Sequence, residues 1–564
     1  MKKLLASILT VILTVSSFLV VPATVSAANL VSGDFEYSVF TDNTVCIEKY
    51  IGKETTLTIP SILEGKAVRV LGSQAFANNS TLKSVTIPAA IKQVYFGAFY
   101  NSAIESASFV SGISTVPDGI FRGASKLKNV TLPNSILTIG SGAFQGCTSL
   151  EKISLPVSLN TIGSKAFEGC TSLTSITIPK TVSQCGNAIF VDSALKTATI
   201  EDGATTVPSG IFQYADKLTK VTIPNTVTVI DSYAFANCKS LANITLPSSL
   251  STLEYGAFYK CTALTSITIP KNVTKSGGNV FEASALETVT FANGATVVPE
   301  SLFINASNLK RAVLPNTLKI IEANAFSNCS SLSNIALPNA LSEIGNQAFS
   351  NTSSLKSITI PKTVSKFGKY IFEKSGINTA TFENGSTLIP NSIFYCAENL
   401  TTVTLPNTIK KIEQEAFYGC KSLESIELSE GVTSISANAF NNCLAMKSVT
   451  VPKSVTYIGT RALGYSASNK IDNFVINGYK GTDAQRYANE NNITFNDMDE
   501  VLVGDTNKDK SVNVADVTYL QMYLAGEATS IDINNMADMK RADLNGDGNI
   551  DVLDVTEIQN LIAS

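Results

Sequence analysis

The 564-residue sequence contains no histidine and no tryptophan. Without histidine there is no Ser-His-Asp or Cys-His catalytic pair and no imidazole metal ligand. Without tryptophan the strongest stacking platform for a sugar ring is missing. Charged residues are also scarce, 16 % of the chain against 44 % apolar ones, a balance that argues against disorder. The net charge of -4 hides an asymmetry. Residues 501–564 hold eleven Asp or Glu against four Lys or Arg, a local balance of -7, which leaves residues 1–500 at about +3. No basic stripe runs through the chain, so nucleic acid is not an expected partner. Past the N-terminus no apolar run approaches the ~20 residues that span a bilayer, so the mature chain is expected to carry no transmembrane anchor.

What is present begins with an export signal. Lys2 and Lys3 precede an apolar run from Leu4 to Val21, Pro22 breaks it, and Val25-Ser26-Ala27 offers small residues for cleavage. A signal peptide over residues 1–27 is expected, with an uncleaved signal anchor as the alternative.

The chain is longer than one hydrophobic core usually supports, so several domains or a repeat array must organise it. A Phe recurs seventeen times at intervals of 22 or 23 residues from Phe76 to Phe440, and Leu463 closes the series. Between these positions each unit reads L-x-x-[IV]-x-[IL]-P, as in Leu173 to Pro179 and again in Leu264 to Pro270. The [IV]-x-[IL] segment alternates with period two and stops at Pro, which predicts a short strand buried on one face. One strand per coil, stacked in parallel, would bury a face that no single coil can bury alone. Eighteen such coils at ~4.8 Å each predict a rod about 85 Å long. A longer period lies on top. The 22-residue coils, ending at Phe121, Phe212, Phe303 and Phe394, recur every 91 residues, and each is preceded by a Gly-containing loop that replaces the usual Pro: 112–117, 203–208, 294–299 and 385–390. Duplication of a four-coil unit explains this, with periodic ligand contacts as the alternative.

This stretch, residues 33–497, resembles the BspA-type leucine-rich repeats of bacterial surface proteins. The resemblance implies a leucine-rich-repeat solenoid, mainly parallel β with short turns or helical segments. It implies an N-terminal cap over residues 28–75, a solenoid over 76–464, and a C-terminal cap and linker over 465–500. Caps are needed physically, because an open sheet edge recruits foreign strands.

Three features of the repeats tempt a functional reading. The middle strand position is Thr in twelve coils, from Thr86 to Thr450, and Ser at Ser108 and Ser154, which predicts a ladder of hydroxyls on the outer face. The β-branched Thr also simply favours strands. Seven of the ten Cys fill one slot three residues after the Phe: Cys147, Cys170, Cys238, Cys261, Cys329, Cys420 and Cys443. The slot holds Ala, Ser or Thr in other coils, so small buried free thiols are expected there rather than disulfides. The Phe series itself is expected to be a stacked core spine.

Past residue 500 the chemistry changes. Asp505, Asn507, Asp509, Ser511, Asn513 and Asp516 place oxygens at positions 1, 3, 5, 7, 9 and 12 of a loop, and Asp543, Asn545, Asp547, Asn549, Asp551 and Asp554 do so again. Calcium takes six to eight oxygens at this spacing, with position 7 offering its backbone carbonyl. Two calcium ions are therefore expected, with Asp505, Asn507, Asp509, Ser511 and Asp516 holding one and Asp543, Asn545, Asp547, Asn549 and Asp554 the other. An amphipathic run follows each loop, from Asp516 to Leu524 and from Asp554 to Ile562. At loop position 6 the second loop has Gly548, suited to φ > 0, whereas the first has Lys510, which predicts weaker binding there.

The duplicated loop with Asp at position 12 resembles a type I dockerin over about residues 501–564, a small all-α calcium-binding domain. An ordinary EF-hand would carry Glu at that position and a helix before each loop. The resemblance implies docking onto a cohesin module of a scaffoldin in a cellulosome-type complex. It places the cohesin contacts at Val514, Ala515, Gln521 and Met522 in one half, and at Val552, Leu553, Gln559 and Asn560 in the other. Val514 and Val552 would alternatively be core residues. The expected function is non-catalytic attachment by a secreted adhesion protein, the repeats holding a protein, cell-surface or polymer ligand. A carbohydrate-binding subunit of a polysaccharide-degrading complex and a polysaccharide hydrolase are the alternatives.

Overall fold

A computed structural model describes residues 29–498, 502–509, 511–527 and 531–564. The expected signal peptide, Lys510 and part of the linker lie outside these residues. The chain divides into two compact units, Met1–Asn272 with Val280–Ala285, and Val273–Asn279 with Leu286–Ser564. Both contain the leucine-rich-repeat solenoid.

The first unit opens with an antiparallel sheet. Leu30–Ser32 pairs with Phe35–Val39, which pairs with Val45–Tyr50. Val45–Tyr50 then pairs in parallel with Lys66–Leu71 and hands over to the repeats. From there most of the predicted strands form in parallel register, for example Ile176 opposite Ala198 and Ala198 opposite Val221, whereas 151–156, 241–247 and 423–429, where the repeat also predicts a strand, form none. Ser175–Ile178 alternates exposed and buried, with Ile176 and Ile178 inward and Thr177 outward. Stacking thus brings hydroxyls into line, and Thr86 and Ser108 on adjacent strands lie 3.0 Å apart.

The expectation of one strand per coil is corrected. Each coil adds a second, two-residue strand, such as Thr138–Ile139 beside Thr161–Ile162. Two residues are too few to show an alternation, so the pattern of the first strand masks the second. These short strands also make the 91-residue period visible. In the first unit one sheet runs from Thr115–Val116 to Gln184–Cys185 and the next begins at Thr206–Val207. In the second unit sheets begin at Val297–Val298 and Leu388–Ile389. Each start lies within one of the segments expected as Gly-containing loops. Those loops spend their polar groups on the fold. The Gly112, Gly203 and Gly385 N–H groups donate to Ser135, Thr226 and Thr408 (3.1, 3.2 and 3.1 Å), whose hydroxyls donate back to the carbonyls of Ile113, Ala204 and Ser386. The repeated contact is what duplication of a four-coil unit would give.

The Phe series is a buried stack. Phe144 and Phe167 lie 5.4 Å apart at 10°, and in the second unit Phe303 and Phe326 repeat this at 5.4 Å and 8°. The turn carrying each Phe has left-handed residues two before and two after it, as at Gly142 and Gly146 or Asn324 and Asn328. All ten Cys are free thiols. Those in the repeated slot donate S–H to the carbonyl of the Phe one coil back, Cys147 to Phe121 and Cys329 to Phe303 at 3.2 and 3.1 Å. Ser193, Ser284 and Thr352 in the same slot donate to the Phe of their own coil. The slot needs a small buried side chain, and a thiol fits. Burial raises Cys170, Cys261 and Cys443 to about 12, far from thiolate chemistry at neutral pH.

The solenoid closes in the second unit with three parallel strands, Ser448–Thr450, Val475–Gly478 and Thr494–Asp497. Helix α1, Asp483–Glu490, covers the last coil. Its Tyr487 hydroxyl donates to the Leu463 carbonyl at 3.0 Å and accepts the Leu463 N–H at 3.1 Å. Asp483 also accepts the N–H of Ile458, a strand residue at the end of the second sheet. The final segment is helical: α2 Val514–Leu524, α3 Met536–Ala542 and α4 Val552–Ala563, around Val517, Leu520, Ile531, Ala542, Val555 and Ile558. None of the described helices is long and apolar enough to cross a membrane.

Candidate metal centre and docking helices

The acidic loops sit at the N-termini of α2 and α4, and the helix starts explain their geometry. Asn513 and Asp551 are the N-caps, accepting the N–H groups of Ala515 and Leu553 at 2.8 and 2.7 Å. Asp516 and Asp554, position 12 of each loop, complete a capping box by accepting the cap residue's own N–H at 2.9 and 2.8 Å. A carboxylate in the first turn also suits the positive end of the helix dipole.

The same two carboxylates reach back across their loops. Asp516 accepts the Asn507 N–H at 3.1 Å, and Asp554 accepts those of Leu544 and Asn545 at 2.8 and 3.3 Å. Both side chains are fully buried, at 0 % exposure. The shorter Asp is thus pinned between loop and helix. At the other end, Asp505 accepts the N–H of Asp509 at 3.0 Å, and Asp543 accepts that of Asp547 at 3.2 Å. Asn507 and Asn545 accept the same N–H groups, each at 2.9 Å, and Asp509 and Asp547 accept those of Ser511 and Asn549. One hydrogen-bond plan builds both loops.

In the first loop, oxygens of Asp505, Asp509 and Asp516 lie within 4.8 Å of one another, two of the three residues buried. Three like charges at that separation repel unless a cation sits among them, and an all-oxygen donor set is what calcium takes. The residues present fit that ion. In the second loop Asp543 turns toward the N–H groups of Gly546 and Gly548, at 2.7 and 2.9 Å. Gly548 has φ +86°, the conformation expected at position 6. The comparison with Lys510 falls outside the described residues. Position 4 supplies one instead, because Gly546 at +74° is matched by Lys508 at +65°, a left-handed side chain that the sequence spacing did not flag. Lys508 is held there by Asp538 at 2.8 Å.

Helix α3 was not anticipated. It enters the second loop directly, so that loop resembles an ordinary EF-hand more closely than the sequence suggested. Its signal was available: Asn535 caps it, accepting the N–H groups of Ala537 and Asp538 at 2.9 and 3.3 Å.

The residues implied as cohesin contacts all lie at the surface. Ala515, Gln521, Gln559 and Asn560 are exposed. Met522 is 39 % exposed, Val514 68 %, Leu553 58 % and Val552 71 %. The alternative that Val514 and Val552 are core residues is therefore wrong. They open their helices with apolar side chains held in solvent, and the core is built one turn in, from Val517 and Val555.

Six overlapping copies of the BspA type Leucine rich repeat region match residues 45–158, 92–217, 137–240, 205–332, 296–422 and 387–498. The Dockerin type I domain matches residues 503–563. No curated protein matches the chain. Among solved structures, a leucine-rich repeat protein from Bacteroides ovatus is similar at 22 % identity and a TM-score of 0.37, covering 83 % of this chain and 98 % of that one. A leucine-rich repeat protein from Eubacterium ventriosum is 27 % identical, with a TM-score of 0.36 and coverage of 62 % and 95 %. The pneumococcal vaccine antigen PcpA is 19 % identical, with a TM-score of 0.32 and coverage of 83 % and 98 %.

Proposed function

Because the chain belongs to the BspA-type leucine-rich-repeat family and ends in a type I dockerin, we propose that it is an exported, non-catalytic attachment protein. The dockerin fastens it to a cohesin module of a scaffoldin, as in a cellulosome-type complex, and the solenoid holds a second ligand outside the cell. The observation that carries this is the pair of capped, all-oxygen loops, one plan used twice, each opening a helix with exposed apolar side chains. Calcium, when bound, neutralises the loop carboxylates. Asp516 and Asp554 fix the helix starts, and Val514, Met522, Val552 and Leu553 offer the contact surface.

The surface carboxylates of the solenoid support a structural role. Glu300, Glu322 and Glu343 line a hollow of about 360 Å³. Glu322 accepts the Glu300 N–H at 2.8 Å, and Glu343 faces Lys366 at 3.6 Å. Through these contacts the Glu322 and Glu343 side chains brace adjacent coils.

A pull-down of the full chain against a panel of cohesins tests the proposal. Capture in calcium that is lost in chelator supports it. Capture by no cohesin, or capture indifferent to chelator, contradicts it.

A further inference from the structure

The left-handed slot two residues before each Phe is filled by many residue types, among them Gln74, Lys165, Ser301 and Glu415. Gly97, Gly142 and Gly210 occupy it in some coils, and Asn279, Asn324 and Asn438 in others, the Asn residues at φ of 50, 56 and 56°. Tyrosine fills it in two coils, Tyr233 at 56° and Tyr370 at 59°. A bulky side chain there costs about 1 kcal/mol against residues that adopt the conformation freely. Neither ring joins the buried Phe spine, so the core does not explain the choice.

Each of these tyrosines instead nucleates an aromatic patch on the outer side of its turns. In the first unit Tyr233 meets Tyr255 edge to face, centroids 5.4 Å apart at 75°. Tyr255 is 42 % exposed. The Tyr233 ring lies across the next coil over Gly256, where an added Cβ would come within 2.8 Å of the ring. Tyr259 follows, with Lys260 Nζ 5.1 Å from its ring. In the second unit Tyr370 meets Tyr395 at 5.2 Å and 90°, and Tyr395 stacks on Tyr418 at 4.8 Å and 8°. Lys374 occupies the same place after its Phe as Lys260 does in the first patch, at φ of 51 and 55°. Burial, and then the neighbouring Tyr255, raises the Tyr233 phenol, so its hydroxyl stays a donor at neutral pH.

Resting on the proposed role of the solenoid as ligand holder, we infer that these two tyrosine patches are its binding sites and that the ligand is a polysaccharide. A pyranose ring has an apolar C–H face bordered by hydroxyls. A tyrosine patch with a lysine at its rim offers the matching apolar surface and polar partners. The size of the patches argues against a folded protein as the occupant. Three partly exposed rings amount to a few hundred Å² at most, well under the ~800 Å² per partner of a stable protein interface. Each patch is a weak site by itself, and a polymer that presents the same pyranose many times fills it more readily than a short ligand does.

The test uses the full chain in calcium, mixed with insoluble cellulose, xylan, mannan and chitin. Tyr233→Asn and Tyr370→Asn install the residue that other coils carry in this slot. A purely structural tyrosine would lose stability on this change, whereas a ring kept for binding leaves the melting temperature unchanged or raised. The expected result is retention on at least one of the four polymers, severalfold weaker in each single variant and at least tenfold weaker in the double variant. Capture by cohesin should be identical in all four proteins. If the wild type stays in the supernatant with every polymer, or the double variant is retained like the wild type, the inference is overturned. Loss of cohesin capture alone would instead overturn the attachment role.

Discussion

Replacing Asp516 with Ala should unfasten the C-terminal domain and leave the solenoid intact. The buried carboxylate accepts the N–H groups of Asn507 and Asn513 at 3.1 and 2.9 Å. Hydrogen bonds to a charged acceptor are worth about 1.5–3 kcal/mol each, so their loss amounts to about 3–6 kcal/mol. A domain of this size has a total stability of only about 3–9 kcal/mol. Each kcal/mol moves the melting temperature of a small domain by about 4–8 °C. In calcium, the transition of the C-terminal domain should therefore fall by at least 12 °C, followed by helical circular dichroism, with the solenoid transition unmoved. In chelator the difference should shrink, because the substitution also relieves repulsion with Asp505 and Asp509, whose oxygens lie within 4.8 Å. A shift below about 4 °C in calcium, or an equal shift in chelator, would refute the assignment of Asp516 as both cap and ligand.

Two other outcomes are expected. Calcium titration should resolve two unequal sites, the first loop being weaker because Lys508 is held at φ +65° where the second loop has Gly546; Gly546→Lys, at φ +74°, should weaken the second site about fivefold and bring the two together. A thiol-specific reagent at pH 8 should count ten cysteines in denaturant and at most two, the partly buried Cys185 and Cys396, in the folded chain, since burial holds the slot thiols up, Cys170 to about 12; fewer than ten in denaturant would reveal disulfides.

The solenoid was legible because its signals repeat. Seventeen copies of one Phe, and strands of three or four residues alternating in period two, leave little room for another fold. The second strand of each coil was hidden because a pair such as Thr161–Ile162 carries no period of its own. The left-handed turn positions show in the sequence only as a partial excess of Gly and Asn, and Tyr233 and Tyr370 are two of many exceptions to it. Their meaning depends on a backbone angle and on a neighbour one coil away, and neither is written locally. The calcium loops were legible because oxygen spacing is the chemistry itself. Helix α3 is hard to see in the sequence because Met536–Ala542 has only seven residues, too few to display a helical period, and Asn535 is its one local signal. The exposure of Val514 and Val552 follows from the cap geometry, which turns position 10 outward while position 12 is buried.

The most direct measurement is a calorimetric titration of calcium into the metal-free full chain, with helical circular dichroism recorded in parallel. Two ions should bind per chain, and helix content should rise as they do, because metal binding and folding of the C-terminal segment are one event. Uptake of no calcium, or a helix signal already complete in chelator, would contradict the claim that paired oxygen loops make this tail a connector.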